Sequence, residues 1–282
     1  MAELALLGGS PVRSEPFPAP NSFGVEELAG VKEVLDSGVL SGFIARGVDA
    51  FGGGPKVKRL EADFCRRFGA RYAIAVNSNT SGLHAALGAI GLEPGEEVIC
   101  PPYTMTATAA AVLHANGVPV FADVETETYG LEPADVQRKI TGRTRAIIPV
   151  HLFGHPCRIE ELLAIARPRG IRVIEDVAQA PGALCRGAAA GTLGDLGVFS
   201  LNQNKTITTG EGGVVVTNDE ELALRVQLVR NHGEVCVEDF DYENIAGTLG
   251  WNYRMTEMEA AVGIAQLAKL DTLTATTAAV YT

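Results

Sequence analysis

The chain has 282 residues, of which 46% are hydrophobic, and it carries a formal net charge of −11. This apolar content suffices for a substantial core in one large α/β domain or in a large and a small one. The acidic balance argues against nucleic acid or an anionic membrane surface as a partner. Five widely spaced cysteines without a CxxC pair favour a reduced, cytoplasmic protein. We expect no signal peptide, because the N-terminus lacks a basic region followed by a long apolar run, and no membrane span, because no run reaches the roughly 18 apolar residues that a span needs.

The first 24 residues are rich in proline and glycine and are predicted to form an extended arm. Helical spacing of apolar residues then predicts a helix over Val25–Ser37. The glycine-rich stretch Gly38–Gly54 carries two phenylalanines and Arg46. Such residues are poor linker material, so a loop over a site is favoured over a mobile linker. A second helix is predicted from about Pro55 to Phe68.

From residue 72 onward, apolar strands alternate regularly with helices. This pattern predicts an α/β fold with a mostly parallel central sheet covered by helices on both faces, a three-layer αβα arrangement. In such sheets ligands bind beyond the carboxyl ends of the strands, so the residues after each strand are candidates for a site. The predicted strands cover Tyr72–Val76, Glu97–Cys100, Val118–Val124, Arg145–His151, Ile171–Glu175, Leu196–Phe199 and Val214–Val216. The predicted helices cover Thr80–Ile90, Thr104–Ala115, Glu132–Ile140 and Ile159–Ala166.

The stretch 195–218 holds a single lysine between two apolar strands. An amine held near a core loses hydration, which lowers its pKa and makes it nucleophilic. Lys205 therefore has the setting of a nucleophile, and the amides of Asn202, Gln203 and Asn204 are suited to hydrogen-bond a ligand without adding charge. A surface hairpin with an incidental lysine explains the same pattern, since glycine-rich turns are common. This stretch alone leaves both interpretations open.

Polar side chains also follow other predicted strands. Residues 77–82 open a helix, and free N–H groups there suit a phosphate, although ordinary N-capping needs no ligand. Tyr103 and Met105 follow the next strand, and each is suited either to lie on a planar ligand or to pack in the core. Asp176 ends an apolar strand with no lysine or arginine close in sequence, which favours a ligand cation as its partner. Gln179 faces the same way if a helical turn begins there.

A lysine near the core, a buried aspartate, a phosphate-ready helix start and a stacking side chain are the four groups that pyridoxal phosphate requires. In that chemistry the lysine forms an imine and the aspartate keeps the ring nitrogen protonated. A metal is disfavoured because the histidines and cysteines lack zinc-ligand spacing, and His151 is predicted to be structural. A dinucleotide is disfavoured because no GxGxxG follows the first strand.

The sequence resembles the DegT/StrS type of sugar aminotransferases, which have the aspartate-aminotransferase-like fold. The resemblance runs from about residue 5 to residue 270, and its motifs occur in the family's order. These motifs occupy residues 77–84, 101–105, 119–123, 150–154, 175–180, 199–205, 210–213 and 250–255.

The resemblance implies a role for each candidate residue. Lys205 would form the cofactor imine, Asp176 would hold the pyridine nitrogen, and Gln179 would lie beside the cofactor's hydroxyl. Met105 stands where many relatives have an aromatic residue, which leaves the stacking residue open between it and Tyr103. The implied phosphate ligands are Asn79, Thr80 and Ser200, together with Asn252 reaching the phosphate in a partner subunit.

The resemblance also implies a homodimer with shared active sites, in which an amino group moves from glutamate or glutamine to a keto-sugar or keto-cyclitol. The opening of the chain and the Asn-Gln-Asn before Lys205 look closest to members that act on aminocyclitol or nucleotide-sugar ketones. Substrate choice is expected in Gly38–Gly54 and Val235–Ala246.

The expected domains are an arm over 1–24, a large cofactor-binding domain over 25–255, and the start of a small C-terminal domain over 256–282 that is otherwise largely absent. This shortening leaves open a non-catalytic pyridoxal-phosphate-binding or regulatory homologue. A dehydratase is disfavoured, because the family's dehydratases have histidine at the position of Lys205.

Overall fold

A computed structural model describes residues 3–15, 22–44, 48–233 and 249–281. The predicted positions Arg46 and Val235–Ala246 lie outside the described residues. The described strands are β1 (Tyr72–Val76), β2 (Glu97–Cys100), β3 (Val118–Phe121), β4 (Thr144–Ile147), β5 (Arg172–Asp176), β6 (Leu184–Cys185), β7 (Ala188–Ala189), β8 (Leu196–Ser200) and β9 (Gly213–Thr217). The described helices are α1 (Val25–Ser37), α2 (Val48–Phe51), α3 (Pro55–Phe68), α4 (Asn79–Ala89), α5 (Ala107–His114), α6 (Pro133–Lys139), α7 (Ile159–Ala166), α8 (Glu220–Arg230), α9 (Glu257–Ala268) and α10 (Leu270–Tyr281).

Seven strands form one sheet in the order β1-β9-β8-β5-β4-β2-β3, and β6 and β7 form a separate hairpin. Strand β9 runs antiparallel to both of its neighbours, and the remaining pairs are parallel. The predicted mostly parallel sheet is therefore confirmed. Strands β8 and β9 are buried along their whole length, as expected for strands covered on both faces.

Helices cover both faces, so the three-layer prediction is confirmed. Alternate residues of β1 point to opposite sides, because side chains in a strand alternate between its faces. Ile74 and Val76 belong to the cluster that includes α4, α5 and α8. Ala73 and Ala75 belong to the cluster that includes α3 and α9. Helices α6 and α7 cover the rest of this second face, above β2, β4 and β5.

Most predicted bounds agree with the structure within one residue, and three elements are shorter. Helix α5 begins at Ala107 rather than Thr104, and β3 ends at Phe121 rather than Val124. The strand predicted over Arg145–His151 ends at Ile147. Pro149 lacks the N–H group that a continuing strand needs, and the next residue makes only an isolated bridge.

The segment after residue 256 begins with α9, which packs against α1 and α3. The buried carboxylate of Glu257 accepts hydrogen bonds from the backbone N–H groups of Lys56 (2.8 Å) and Val57 (3.1 Å) at the start of α3. The boundaries at 24/25 and 255/256 stay predictions. Among the described helices, none combines the length and the apolar composition that crossing a membrane requires.

A close backbone approach joins the start of β9 to the start of α4. A Cβ atom at Gly213 would lie 2.7 Å from the carbonyl atoms of Ser78 and 2.8 Å from the backbone nitrogen of Asn79. Glycine is needed here because a Cβ atom would clash with backbone atoms, which cannot move aside as the end of a flexible side chain can.

Gly213→Ala should therefore destabilise the protein by about 1–3 kcal/mol, the usual range for overpacking. Urea unfolding measures this loss. Gly142→Ala is the matched control, because no atom lies within 4 Å of a Cβ built there. Equal stability of the two variants would contradict the steric role of Gly213.

Candidate active site

A cavity of about 380 Å³ lies at the carboxyl ends of β5 and β8, beside the start of α4. The residues predicted from sequence that line this cavity are Asn79, Thr80, Met105, Asp176, Gln179, Ser200, Asn202, Asn204 and Lys205. They come from four separate stretches of chain, each following or ending a strand of the sheet. The carboxyl edge of the sheet thus brings together side chains that are far apart in the sequence.

Two consecutive carboxylates at the end of β5 point to opposite faces of the sheet, as strand geometry requires. Glu175 accepts a 2.8 Å hydrogen bond from Nε2 of His151, and both side chains are fully buried. Because the N–H of Cys157 donates to Nδ1 of that histidine, Nε2 is the ring nitrogen that donates to Glu175. The backbone N–H groups of Gly191, Leu193 and Gly194 complete the shell of Glu175.

Burial raises the pKa of Glu175, but the hydrogen bonds from His151 and the backbone outweigh burial and lower it below its ordinary value. This carboxylate is therefore fully paired within the protein. His151 has the structural role that the sequence predicts for it.

Asp176 faces the cavity and is less well paired. Its oxygens accept hydrogen bonds from Thr108 Oγ1 (3.1 Å), Ala178 N–H (3.1 Å) and Asn79 Nδ2 (3.4 Å). Burial raises the pKa of Asp176 above its ordinary value of 3.8, and these bonds together with the charge of Lys205 offset burial only in part. A buried carboxylate in this state is stabilised further by a cation placed in the cavity.

The start of α4 borders the same cavity. Ser78 caps the helix, since its side chain accepts a hydrogen bond from the N–H of Ser81 (3.0 Å). The first N–H groups of a helix have no partner within it. Those of Asn79 and Thr80 have none among the described residues. They and the helix dipole provide a site for an anion such as a phosphate.

Lys205 lies half-buried in the turn after β8 and lines the cavity. Its backbone N–H donates to the carbonyl of Asn202 (2.9 Å). The turn is tied to the chain before β9, because Leu201 N–H donates to Gly212 O (2.9 Å) and Gln203 N–H donates to Gly210 O (2.8 Å). The lysine is thus carried by a hydrogen-bonded loop and not by a free hairpin tip.

Three predicted residues, Tyr103, Gln203 and Asn252, do not line the cavity. Tyr103 is 52% exposed, and its ring centroid lies 6.0 Å from that of Tyr129 and 6.3 Å from that of Phe153. Of the two stacking candidates, Met105 is the one that borders the cavity, and its side chain is 69% exposed. Asn252 is exposed, and its Oδ1 accepts a 2.9 Å hydrogen bond from Nε of Arg254.

Sequence reasoning missed other residues of the site. Thr108 is fully buried and bonded to Asp176, but a threonine within an alanine-rich helix gives no signal in the sequence. Glu211 and Thr104 also line the cavity. Glu211 was detectable in principle, because it is an acidic residue set among glycines next to a candidate lysine.

These groups fit pyridoxal phosphate. An incompletely paired buried carboxylate suits a protonated ring nitrogen, a half-buried amine suits an aldehyde, and a helix start suits a phosphate. Such chemistry on an α/β sheet defines a class of cofactor-dependent enzymes.

The chain belongs to the DegT/DnrJ/EryC1/StrS aminotransferase family, whose model matches residues 25–282. A protein of Streptoalloteichus tenebrarius named as a presumed L-glutamine:3-amino-2,3-dideoxy-scyllo-inosose aminotransferase is 42% identical over 275 residues, covering 96% of this chain and 63% of that protein. GDP-perosamine synthase of Caulobacter vibrioides is 44% identical over 210 residues, covering 74% and 55%.

The fold is also that of solved structures. NtdA from Bacillus subtilis, crystallised with its bound cofactor PMP, is 31% identical with a TM-score of 0.75, over 87% of this chain and 53% of that one. The α/β fold predicted from the sequence is confirmed by this likeness. The chain spans 55% to 63% of the length of the curated relatives described above.

Asp176→Asn should raise the free energy of unfolding of the cofactor-free protein at neutral pH, because it removes a charge that burial penalises. The pKa of Asp176 is raised by folding, so its charge costs no stability below the unfolded value near 3.8. The advantage of the variant should grow as the pH rises from there to the folded pKa and stay constant above it. Urea unfolding over this range is the measurement. If the free energies of unfolding of the two proteins changed with pH in parallel, the charge of Asp176 would already be compensated within the folded protein.

Proposed function

We propose that this chain carries the active site of a pyridoxal-phosphate-dependent aminotransferase that transfers an amino group from glutamine or glutamate to a keto-sugar or keto-cyclitol. The observation that carries the proposal is that Asp176, Lys205 and the open start of α4 border one cavity. Each of the three suits a different part of the same cofactor.

Different residues of the cavity hold different parts of the cofactor. Lys205 holds it covalently through Nζ, and the carboxylate of Asp176 keeps a proton on the ring nitrogen. Gln179 would lie beside the ring hydroxyl, and Met105 would pack on the ring face, since both side chains line the cavity. The phosphate is held by Asn79, Thr80 and Ser200. When bound, pyridoxal phosphate supplies a ring that withdraws electrons from the carbon that loses its proton.

Lys205 has a second task in this proposal. As a free amine, Nζ takes a proton from the α-carbon of the donor and later returns a proton on the acceptor side, which is general acid–base catalysis by a positioned group. Asp176 makes that proton easier to remove, because it holds positive charge on the ring.

The relatives support the substrate class. One is named for glutamine and a keto-cyclitol, and another for the product GDP-perosamine. We extend the proposal to a homodimer in which Asn252 reaches the phosphate of the partner's site, and its exposure leaves it accessible for this role. A cytoplasmic location is supported by the four free cysteines among the described residues.

Lys205→Ala should abolish covalent capture of pyridoxal phosphate, because no other lysine lines the described part of the cavity. Incubation with the cofactor, reduction with borohydride and peptide mass spectrometry measure the capture. Lys139→Ala, at an exposed position on α6, is the control, and it should capture the cofactor as the wild type does. Unchanged capture in Lys205→Ala would refute the proposed attachment.

In turnover, Asp176→Asn should slow conversion of the bound cofactor to its amine form by glutamine or glutamate. We expect a loss of about a hundredfold, equivalent to about 2.7 kcal/mol of barrier. Cofactor affinity should fall much less, because the contacts at α4 and Ser200 remain. Stopped-flow absorbance measures both quantities. A near-normal rate would contradict the role of Asp176 at the ring nitrogen and would mean that it only caps the following turn.

A further inference from the structure

Asn202 lies three residues before Lys205, and its polar groups are bonded within the loop. Its side-chain Nδ2 donates to Glu211 Oε1 (3.0 Å), and its Oδ1 accepts the N–H of Asn204 (3.1 Å). Its backbone carbonyl accepts the N–H of Lys205 (2.9 Å), and its N–H donates to Ser200 Oγ (3.3 Å). Each end of its amide thus makes one hydrogen bond within the loop, and Asn202 also lines the cavity.

Glu211 is placed beside Asn202 by the backbone. The bonds from Leu201 to Gly212 and from Gln203 to Gly210 lie on either side of these two residues and set them opposite each other. Gly210 has a φ of +87°, in the left-handed region that favours glycine. The glycines around Glu211 thus let the second half of the loop bring a carboxylate against the first half.

We propose that Asn202 and Glu211 form a clamp that positions Lys205 for covalent attachment of the cofactor. Thr208 and Thr209 bond the base of the loop by donating to Leu201 O, and among the described residues the clamp is the side-chain bond that ties residues 202–205 to the second half of the loop. Asn202 donates to the carboxylate of Glu211 at an exposed position of the loop, and its Oδ1 fixes the turn one residue before the lysine. Both are positioning residues, because they act through Lys205. The inference rests on the proposed function, since it concerns the same lysine.

Positioning matters here because attachment needs the amine at bonding distance from the aldehyde carbon. A small misplacement of a reacting group slows a reaction strongly even when every contact with the rest of the ligand survives. Loss of the clamp should therefore affect attachment to Lys205 more than binding of the cofactor's ring and phosphate.

The test reverses the direction of the bond between the two side chains. In Asn202→Asp, two carboxylates face each other, and the acceptor for Asn204 remains. In the double variant Asn202→Asp/Glu211→Gln, the glutamine amide donates to the new aspartate and the pair is restored. Glu211→Ala removes the acceptor without adding repulsion, so the test survives if Asn202→Asp fails to fold. Glu220→Gln, at an exposed position on α8, is the matched control.

Two readouts separate positioning from general damage. The first is affinity for pyridoxamine phosphate, which cannot attach to the lysine. The second is the rate at which pyridoxal phosphate becomes attached to Lys205, trapped with borohydride over a time course. We expect Asn202→Asp and Glu211→Ala to attach the cofactor about tenfold more slowly, because a small misplacement of a reacting group has an effect of this order on its rate. Their affinity for pyridoxamine phosphate should change less than about threefold, within the effect of a minor contact. The double variant and the control should attach at nearly the wild-type rate.

Equal attachment rates in the wild type, Asn202→Asp and Glu211→Ala would overturn the clamp and leave the proposed function standing. A double variant as slow as Asn202→Asp would also overturn it, as would a parallel loss of pyridoxamine phosphate affinity. Failure of the wild-type protein to attach the cofactor at Lys205 would overturn the proposed function and the clamp together.

Discussion

The incompletely paired carboxylate of Asp176 is the constraint on which the site depends. A charge buried at the end of a strand is costly unless an opposite charge lies beside it. Within the described residues its neighbours are a hydroxyl, a side-chain amide and a backbone N–H, and the charge of Lys205 offsets burial only in part. The fold maintains this unfavourable state because the rest of the sheet is well packed, and a cationic ring nitrogen would relieve it.

The contrast with the preceding residue shows how the sheet separates structure from chemistry. Glu175 and Asp176 are adjacent in sequence, yet the strand turns them to opposite faces. The first is saturated by His151 and three backbone N–H groups, which anchor the chain before β8. The second faces the cavity. One strand end thus supplies a carboxylate that is paired within the protein and another that faces the candidate site.

Local patterns in the sequence predicted the sheet and the residues that meet at one cavity, whereas the role of each residue came from the family resemblance. Alternation of apolar strands with helices fixes the layers, and the carboxyl ends of strands fix where Asp176 and Lys205 meet. Sequence reasoning could not choose between Tyr103 and Met105, since a loop after a strand has no periodicity to orient its side chains. It could not find Thr108 either, because that bond joins residues 68 positions apart. The amides before the lysine looked like ligand contacts, although one of them, Asn202, is bonded within its own loop.

The features that the sequence predicted differ from those that it missed for one physical reason. Strands and helices follow from patterns within about ten residues, but a cavity is lined by side chains whose partners are set by packing between distant segments. The approach of Gly213 to Ser78 is an example, since it requires β9 and the start of α4 to lie within contact distance. That approach places the phosphate-ready helix start beside the loop that carries Lys205. Because Gly213 has no side chain, the start of α4 and the loop that carries Lys205 can lie this close together in the candidate site.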